Sequence, residues 1–381
     1  MRTSLIALLF AVAVAFPQTE TSFENRPALV LSNDKLDLTI LPQGGALASL
    51  TLRGDSSRMN PMWEPIRMAR EAGQEPRFGS SMGHFVCVDG FGPVSEEERK
   101  AGLQGHGEAH RLHWTVVKSA REGNAAIITF SVKLPLHQEV LTRTHRVVDG
   151  ENVVYVDSEL ESLLAFDRPV VWAEHATIGS PFLEPGQTVV DMPAARSRTR
   201  PYEPRERGLP HRLASGEDFT WPMAPGTDGK PIDVRAAPVP PNSGDHTTCL
   251  MDPARRLVFV TALHPAKGFL FGYVFRREDF PWVQSWENYP SNGKLARGLE
   301  FSTQPFDVPR REAISLGNLF DGPTYRWLPA LSKIQSRFLI FYTGAANGFR
   351  KVDDVRLEGG KLIIEDRTAG KRMELKASGT L

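Results

Sequence analysis

Residues 125–160 read AAIITFSVKLPLHQEVLTRTHRVVDGENVVYVDSEL, and this stretch decides the fold class. It contains three β-type runs, Ala125–Leu134, Glu139–Val148 and Asn152–Leu160, each bounded by turn residues. An Asp-Gly pair at 149–150 separates the last two runs, and this dipeptide favours the tight turn of a β-hairpin. The stretch therefore predicts successive strands, of which the last two pair as a hairpin.

Strand patterns continue on both sides of this stretch. Upstream, Lys35–Ile40 alternates polar and apolar side chains. A Gly-Gly pair at 44–45 marks a turn, and residues 46–52 form the returning strand. Downstream the pattern recurs at Val170–Ala173, Leu257–Leu263, Phe269–Phe275, Phe338–Tyr342 and Val355–Ile364. The sequence therefore predicts an all-β protein built as a large antiparallel sandwich or barrel.

Helix signals are few and short. One helix is predicted within Asn60–Ala72, and another is opened by Ser95, a good N-cap followed by three glutamates. The chain also has 29 prolines and 32 glycines, which indicates many turns and few long helices.

Overall composition restricts the class of protein. The 381 residues suffice for one large β domain, and the hydrophobic content of 41% is ordinary for a globular chain. Since the formal net charge is zero, the chain lacks the basic field on which nucleic-acid binding depends. No glycine-rich nucleotide loop or phosphate loop occurs, so we expect no cofactor.

The first fifteen residues have the features of an export signal. Arg2 supplies the positive end, Leu5–Val14 is an apolar run too short to span a bilayer, and Ala13–Ala15 fits a cleavage site. We therefore expect a signal peptide at 1–15, a mature chain of 16–381 that is secreted or periplasmic, and no membrane association after cleavage. The alternative is an uncleaved membrane anchor.

Export would allow Cys87 and Cys249 to form a disulfide. Cys87 lies in the apolar run Phe85–Val88, however, which favours a buried thiol. We expect two unpaired cysteines.

One long stretch, about 181–246, interrupts the strand pattern. It is rich in proline and contains the arginines Arg196, Arg198, Arg200, Arg205 and Arg207. A connection of this length is either functional or partly disordered. It could form a loop over a cleft with arginines for an acidic sugar, but we favour a solvated insertion.

Two apparent catalytic motifs carry little weight. Gly79–Gly83 matches a hydrolase nucleophile elbow centred on Ser81, but the segment after it is predicted as a strand where the motif needs a helix. His106, Glu108 and His110 could share one face of a strand as metal ligands, but the glycines beside His106 indicate a turn. We expect neither a serine nucleophile nor a metal site.

His106, His175 and Glu300 form the most informative constellation. Each lies beside a strand-like run. Two imidazoles and a carboxylate can exchange protons near neutral pH, since their ordinary pKa values lie at or below it. In a strand, Glu174 and His175 point to opposite faces, and we place His175 on the cleft side. Structural roles remain the alternative for both histidines.

The spacing of these residues resembles the galactose mutarotase-like superfamily and, within it, the aldose 1-epimerases. Residues 33–50 are similar to the opening strand pair of that family. His106-Gly107 with Trp114 after it resembles the first histidine motif, and His175 at a strand end resembles the second. Leu299-Glu300, followed by Gln304-Pro305 and Asp307, is similar to the glutamate motif. In place of the family's upstream Asn-Arg pair, the chain has Arg77-Phe78-Gly79.

The resemblance implies a β-supersandwich with few short helices and a cleft for a small sugar or glycan. It implies that Glu300 is the general base, His175 the general acid, and His106 a residue that holds the sugar. As further substrate-binding residues we select Arg77, His84, Glu108, Glu174, Trp286, Glu287 and Arg297. The alternatives are a polysaccharide lyase or hydrolase on the same fold, or a carbohydrate-binding protein without catalysis. The oligomeric state stays open.

Overall fold

The computed structural model describes residues 18–76, 81–202 and 208–381. The predicted signal peptide at 1–15 and Arg77 lie outside these ranges.

The helices are α1 (Pro65–Glu71), α2 (Glu96–Lys100), α3 (Arg310–Leu316) and a 3-10 turn at Ala109–Arg111. The strands are β1 (Gln18–Phe23), β2 (Arg26–Ser32), β3 (Leu36–Ile40), β4 (Leu47–Leu52), β5 (His84–Val88), β6 (Thr115–Glu122), β7 (Ala125–Leu134), β8 (Glu139–Val148), β9 (Val153–Ser162), β10 (Arg168–Val170), β11 (Trp172–Gly179), β12 (Val189–Asp191), β13 (Ala194–Thr199), β14 (Asp218–Phe219), β15 (Met223–Pro225), β16 (Pro231–Asp233), β17 (Ser243–Met251), β18 (Leu257–His264), β19 (Phe269–Arg276), β20 (Trp282–Tyr289), β21 (Ala296–Gly298), β22 (Glu300–Ser302), β23 (Asn318–Leu319), β24 (Gly322–Pro323), β25 (Arg326–Leu328), β26 (Lys333–Gly344), β27 (Asp354–Glu358), β28 (Lys361–Asp366) and β29 (Lys371–Lys376).

Two large antiparallel sheets form the body of the molecule. The first has the order β1-β2-β3-β4-β5-β11-β21-β20-β17-β13-β14, with β22 paired to both β11 and β20. The second has the order β12-β18-β19-β26-β9-β8-β7-β6. The all-β sandwich expected from the sequence is therefore confirmed.

The main hydrophobic core joins the two sheets. Leu38, Trp172 and Phe301 from the first sheet belong to the same buried cluster as Ile128 and Val156 from the second. Because side chains alternate along a strand, the residues between these positions point to the other face of each sheet. The alternation fixes which residues of β5, β11 and β22 can reach a cleft on the outer face of the first sheet.

The stretch that decided the fold class forms β7, β8 and β9. Val147 of β8 pairs with Val154 of β9, and Gly150 in the turn has a φ of 83°. A positive φ is accessible to glycine without steric cost, which explains why the Asp-Gly pair predicted this hairpin correctly. The strand pair on either side of residues 44–45 is confirmed as β3 and β4.

One of the two predicted helices is shorter than expected, and the other is confirmed. Only Pro65–Glu71 of the Asn60–Ala72 segment is helical. Asn60 instead uses its side chain to bond the backbone of Leu50 and Ala48. Ser95 begins α2 with a full capping box to Glu98.

The stretch at about 181–246 is more ordered than a solvated insertion. It contains β12 to β16 and the start of β17, and it extends both large sheets. Leu213, Ala224 and Val234 form a small core of their own. The sequence missed these strands because they are short and separated by prolines.

The remaining predictions on the chain concern cysteines and membrane spans. Cys87 and Cys249 are both buried free thiols, as expected. Within the described ranges, no helix is long and apolar enough to cross a membrane.

Candidate active site

A cavity of about 310 Å³ lies on the outer face of the first sheet. It brings together the three residues of the constellation predicted from the sequence. Its walls are Trp63, Ser81, Phe85, Phe91, His106, His175, His246, Trp286, Glu300 and Asp307. The neighbouring strands β5, β11, β22, β20 and β17 supply one residue each, because adjacent strands present their outward side chains side by side.

His175 and Glu300 form the centre of the cavity. Nε2 of His175 lies 3.3 Å from Oε1 of Glu300, and Nδ1 of His175 lies 3.2 Å from the hydroxyl of Thr177. The two side chains meet because β11 and β22 are paired, with Glu174 opposite Phe301. Oε1 of Glu300 has no hydrogen-bond partner among the described residues, so the carboxyl group and the imidazole beside it can both bond a ligand.

Aromatic rings fix the orientation of His175. Its imidazole stacks on Phe85 with ring centroids 4.2 Å apart and an angle of 19° between the planes. Phe91 approaches the same imidazole edge-on at 5.9 Å. On the other side of the cavity, Trp63 and Trp286 meet edge-to-face at 5.9 Å. These aromatic walls offer flat apolar surfaces to a ligand.

His106 enters the cavity from a tight loop. Its φ is 66°, and Gly107 after it has a φ of 73°. The backbone N–H of Gly92 donates to Nδ1 of His106 at 3.3 Å, so in the neutral ring the proton lies on Nε2. The His106 and His175 rings meet edge-to-face at 5.0 Å. His106 can therefore donate one hydrogen bond from Nε2 to a ligand.

Asp307 and His246 complete the charged wall. Nδ1 of His246 lies 3.1 Å from Asp307, and Arg200 donates to the same carboxylate at 2.7 Å. Burial favours the neutral form of Asp307, but the charges of His246 and Arg200 outweigh it and hold the pKa below its ordinary value. Asp307 is therefore a fixed negative charge at the edge of the cavity.

Burial sets the protonation of the central pair. It lowers the pKa of His175 well below the ordinary value, with a smaller effect from His106. It raises the pKa of Glu300 well above its ordinary value, assisted by the negative charge of Asp307. Burial also lowers the pKa of His106 to about 4. In the empty site burial thus favours the neutral imidazole of His175 and the protonated carboxyl group of Glu300.

His84 and Glu174, selected as substrate-binding residues, lie in the core between the sheets. Glu174 contacts Nε2 of His84 at 2.8 Å and accepts from Arg143 at 2.5 Å, and both His84 and Glu174 are fully buried. They face away from the cavity because they occupy the inward positions of β5 and β11. We therefore correct both assignments to a structural role that anchors β11 beneath His175.

Glu108 and Arg297 also lie outside the cavity walls. Glu108 accepts from the backbone of Leu136 and contacts the His137 imidazole at 2.7 Å. Arg297 donates to the carbonyls of Val234 and Arg235, both at 2.8 Å. Each side chain ties two segments together, which corrects its assignment to substrate binding. Glu287 lies at a neighbouring cavity, and Trp286 lines both.

The structure also shows where the residues of the two weaker motifs lie, the nucleophile elbow at Ser81 and the metal site at His106, Glu108 and His110. Ser81 lines the cavity, but β5 follows it where a nucleophile elbow requires a helix. Because Glu108 turns towards His137, it does not converge with His106 and His110. In the part of the chain that the structure describes, no group of three His, Cys, Asp or Glu side chains has a metal-binding arrangement.

The described arginines of the 181–246 stretch are paired with carboxylates. Arg198 donates to Asp218 at 2.5 Å, and Arg196 lies 3.5 Å from the same group. Arg200 is bound to Asp307. Their charges are compensated, which removes the basis for an acidic-sugar site at these three arginines. Arg205 and Arg207 lie outside the described residues.

Sequence reasoning gave no role to five of the cavity residues, namely Trp63, Phe85, Phe91, His246 and Asp307. Asp307 was noted only as part of the motif after Glu300, and His246 only as the end of the proline-rich stretch. The sequence gave no signal for Phe85, because its place beside His175 follows from the β5–β11 register.

Known proteins share this architecture but little of the sequence. No protein-family model and no curated protein matches the chain. Solved structures do match. A candidate aldose 1-epimerase from Klebsiella pneumoniae is similar at 15% identity, covering 84% of this chain and 80% of that one, with a TM-score of 0.60. A galactose mutarotase-like protein from Clostridium acetobutylicum is similar at 12% identity, covering 86% and 99%, with a TM-score of 0.57.

A third similar structure is a galactose mutarotase-like protein from Lactobacillus casei. It is 13% identical, covers 83% of this chain and 100% of that one, and has a TM-score of 0.55. Similarity at these identities establishes the arrangement of strands and not the reaction. The protein therefore has the galactose mutarotase-like fold.

Proposed function

We propose that this protein is an aldose 1-epimerase-like enzyme that interconverts the α and β anomers of a sugar. The observation that carries the proposal is the Glu300–His175 pair, 3.3 Å apart in a cavity walled by aromatic rings. Anomer exchange needs one base and one acid that act together on two oxygens of one ring. The solved structures of similar fold, described as mutarotase-like proteins, support a sugar as the ligand.

The reaction follows from one shared proton. Sugar hydroxyls that donate to Glu300 stabilise its charged form and lower its pKa, so the proton moves to His175. Glu300 then takes the proton of the anomeric hydroxyl and the bond from C1 to the ring oxygen breaks. His175 protonates the ring oxygen as the C1 carbonyl forms. Rotation about the C1–C2 bond and the reverse transfers close the ring as the other anomer.

His106 and the aromatic walls hold the sugar during this sequence. Nε2–H of His106 is positioned to donate to a sugar oxygen, since its Nδ1 is occupied by the Gly92 N–H. Trp63 and Trp286 pack against the apolar face of the ring. The open-chain form stays within the cavity, so the same two groups can reclose it.

The test is exchange NMR on the purified mature protein with glucose, galactose and other free aldoses. We expect magnetisation transfer between the α and β anomeric signals of at least one sugar, well above the rate in buffer. An enzyme that binds these sugars but exchanges none of them would refute anomer interconversion and leave a binding function.

The pH dependence of kcat/KM should lack a limb at the ordinary histidine pKa of about 6.5. Burial lowers the pKa of both histidines and raises that of Glu300, which moves the acid limb and the alkaline limb of the profile apart. Activity should fall at acid pH as the histidines gain protons, and at alkaline pH as Glu300 loses its own. A clear inflection between pH 6 and 7 would contradict this assignment.

We also propose that the protein is exported and cleaved after Ala15. The support is the pattern of Arg2, the apolar run Leu5–Val14 and the small residues before Phe16. The intact mass of the protein recovered from the exported fraction should correspond to residues 16–381. A mass that includes residues 1–15 would show an uncleaved anchor.

A further inference from the structure

A cavity of about 770 Å³ lies between the edge strand β12 of the second sheet and the C-terminal strands β28 and β29. Its walls come from the start of β12, from residues 233–236, from the connection 348–351 and from the turn 366–371. It shares no lining residue with the cavity that holds Glu300 and His175. Tyr202 and Gly208, the described residues on either side of 203–207, line a different cavity. A volume of this size is typical of a small-molecule site.

Buried carboxylates hold the walls of this cavity in place. Asp366 is fully buried at the end of β28 and accepts from the backbone N–H groups of Arg350 at 2.8 Å and Ala369 at 2.9 Å. Asp191 of β12 accepts from the backbone N–H of Val352 at 2.8 Å. These bonds connect both C-terminal loops to each other and to β12. The cavity is therefore formed before a ligand arrives.

Four positively charged side chains line this cavity, and two of them are paired. Nε of Arg235 donates to Asp233 at 3.0 Å. Nζ of Lys351 lies 2.8 Å from Asp353. Both charges are compensated by a neighbouring carboxylate, so neither is available to a ligand without the loss of an ion pair.

The other two positive charges, Arg350 and Lys371, have no such partner. Both side chains are exposed, and within the described ranges neither forms an ion pair or a side-chain hydrogen bond. Lys371 lies across the backbone of Gly348, since a Cβ at that glycine would be 3.0 Å from Cε of Lys371. Gly348 is two residues before Arg350, so the ammonium and the guanidinium border the same part of the cavity.

The negative charges of the walls leave an excess of positive charge. Only two carboxylates line the cavity, against four cations. Asp233 is bound to Arg235, and Asp366 is occupied by backbone N–H groups. An anion that enters the cavity therefore meets Arg350 and Lys371 without displacing an existing ion pair.

Two unpaired cations match a ligand group with two negative charges. A phosphate monoester carries about 1.5 to 2 negative charges at pH 7 and has three strong acceptor oxygens. Arg350 can bond two of these oxygens in a fork, and the Lys371 ammonium can bond the third. A carboxylate or a sulfate monoester carries one charge and would leave one cation uncompensated.

The rest of the cavity can hold more than the phosphate group. Val189, Ala236 and Ala369 add small apolar surfaces to its walls, and Thr368 adds a hydroxyl group. Cavities that combine apolar walls with a few polar groups are typical of sites for small organic ligands.

We propose that this cavity binds a doubly charged phosphate group, free or carried on a small organic molecule, through Arg350 and Lys371. The apolar walls favour the organic ester over the free ion. The proposal does not depend on anomer exchange, because the two cavities have no residue in common.

The test is calorimetric titration of the purified mature protein with glycerol 3-phosphate, inorganic phosphate, methyl sulfate and glycerol. It is run at about pH 7.5, above the second phosphate pKa of about 6, and at constant ionic strength because salt screens exposed charges. We expect glycerol 3-phosphate to bind at least tenfold more tightly than methyl sulfate, and glycerol not to bind. Equal affinity for inorganic phosphate would identify the free ion as the ligand. Equal affinity for methyl sulfate, or no binding of either phosphate compound, would overturn the proposal.

Charge-removing variants locate the site. Arg350→Gln and Lys371→Gln should each weaken glycerol 3-phosphate about tenfold, the effect of one lost charge-assisted hydrogen bond. Each should also reduce the preference over methyl sulfate, since only one unpaired cation remains.

Arg372→Gln is the matched control. Arg372 follows Lys371 on β29, points to the opposite face and is bound to Glu374 at 2.7 Å. This variant loses the same charge from the same strand and should bind glycerol 3-phosphate as the wild type does. Equal weakening in all three variants would show a general attraction of anions and overturn the site. Anomer exchange, measured in parallel, should be unchanged in each variant.

Discussion

Glu300→Gln should lower kcat for anomer exchange by a factor of about 10²–10⁴, the usual contribution of one positioned proton transfer. The amide has the shape of the carboxyl group but cannot take the proton of the anomeric hydroxyl. Sugar binding should persist, because Trp63, Trp286 and His106 remain in place. Exchange NMR gives kcat, and calorimetric titration gives the dissociation constant.

Glu151→Gln is the matched control for this variant. Glu151 is 2% exposed and accepts from the Tyr155 hydroxyl and the Ser378 N–H, away from the cavity. The Glu151→Gln variant should retain anomer exchange. Equal activity of the Glu300→Gln variant and the wild type would show that Glu300 is not the base.

Folding of the Glu300 variant can be checked by its stability against pH. Burial raises the pKa of Glu300 in the folded state, so the wild type keeps a proton that the unfolded chain loses. Its free energy of unfolding therefore falls as pH rises above the ordinary glutamate pKa of about 4.3. Glutamine has no such slope. The variant should match or exceed the wild type in stability at pH 7.

Arg143→Met should cost about 3–5 kcal/mol in the free energy of unfolding, the range found when one partner of a buried ion pair is removed. Arg143 is 1% exposed and donates to Glu174 at 2.5 Å and to Ser158 at 2.9 Å. Without it, the buried Glu174 carboxylate keeps the Trp172 indole N–H and His84, neither of which is a full positive charge, since burial lowers the pKa of His84 even beside that carboxylate. Chemical denaturation measures the loss.

Arg337→Met makes the same change on the surface. Arg337 lies 3.0 Å from Asp157, and both side chains are more than two-fifths exposed, at 44% and 49%. Exposed ion pairs contribute about 0–1 kcal/mol, so this variant should be nearly neutral. Equal losses in the two variants would show that the Arg143 network does not stabilise the fold. Replacing Glu174 by leucine in the Arg143→Met background should recover part of the stability.

The same network has a consequence for the site. Glu174 and His175 are neighbours on β11 and point to opposite faces of the sheet. His84 and Arg143 hold Glu174 in the core, and this contact fixes the position of the neighbouring His175 in the cavity wall. Arg143→Met should therefore also reduce anomer exchange.

The sequence by itself determined part of the strands, among them β7, β8 and β9, together with the hairpin at 149–150 and the capping box at Ser95. These features depend on contacts within a few residues, namely side-chain alternation, the left-handed φ of Gly150, and the reciprocal bonds of Ser95 and Glu98. The spacing of His106, His175 and Glu300 also indicated the galactose mutarotase-like fold. That inference rested on resemblance, because distance along the chain does not fix distance in space.

Only the tertiary structure decided which residues share the cavity. The pairing of β5 with β11 and of β11 with β22 placed Phe85 and Glu300 beside His175, and it turned His84 and Glu174 into the core. Asp307 and His246 joined them from segments far apart in the chain. Strand pairing is a long-range interaction, and the register that it selects determines which face every side chain occupies. Burial in that arrangement, rather than residue type, sets the protonation of Glu300 and His175.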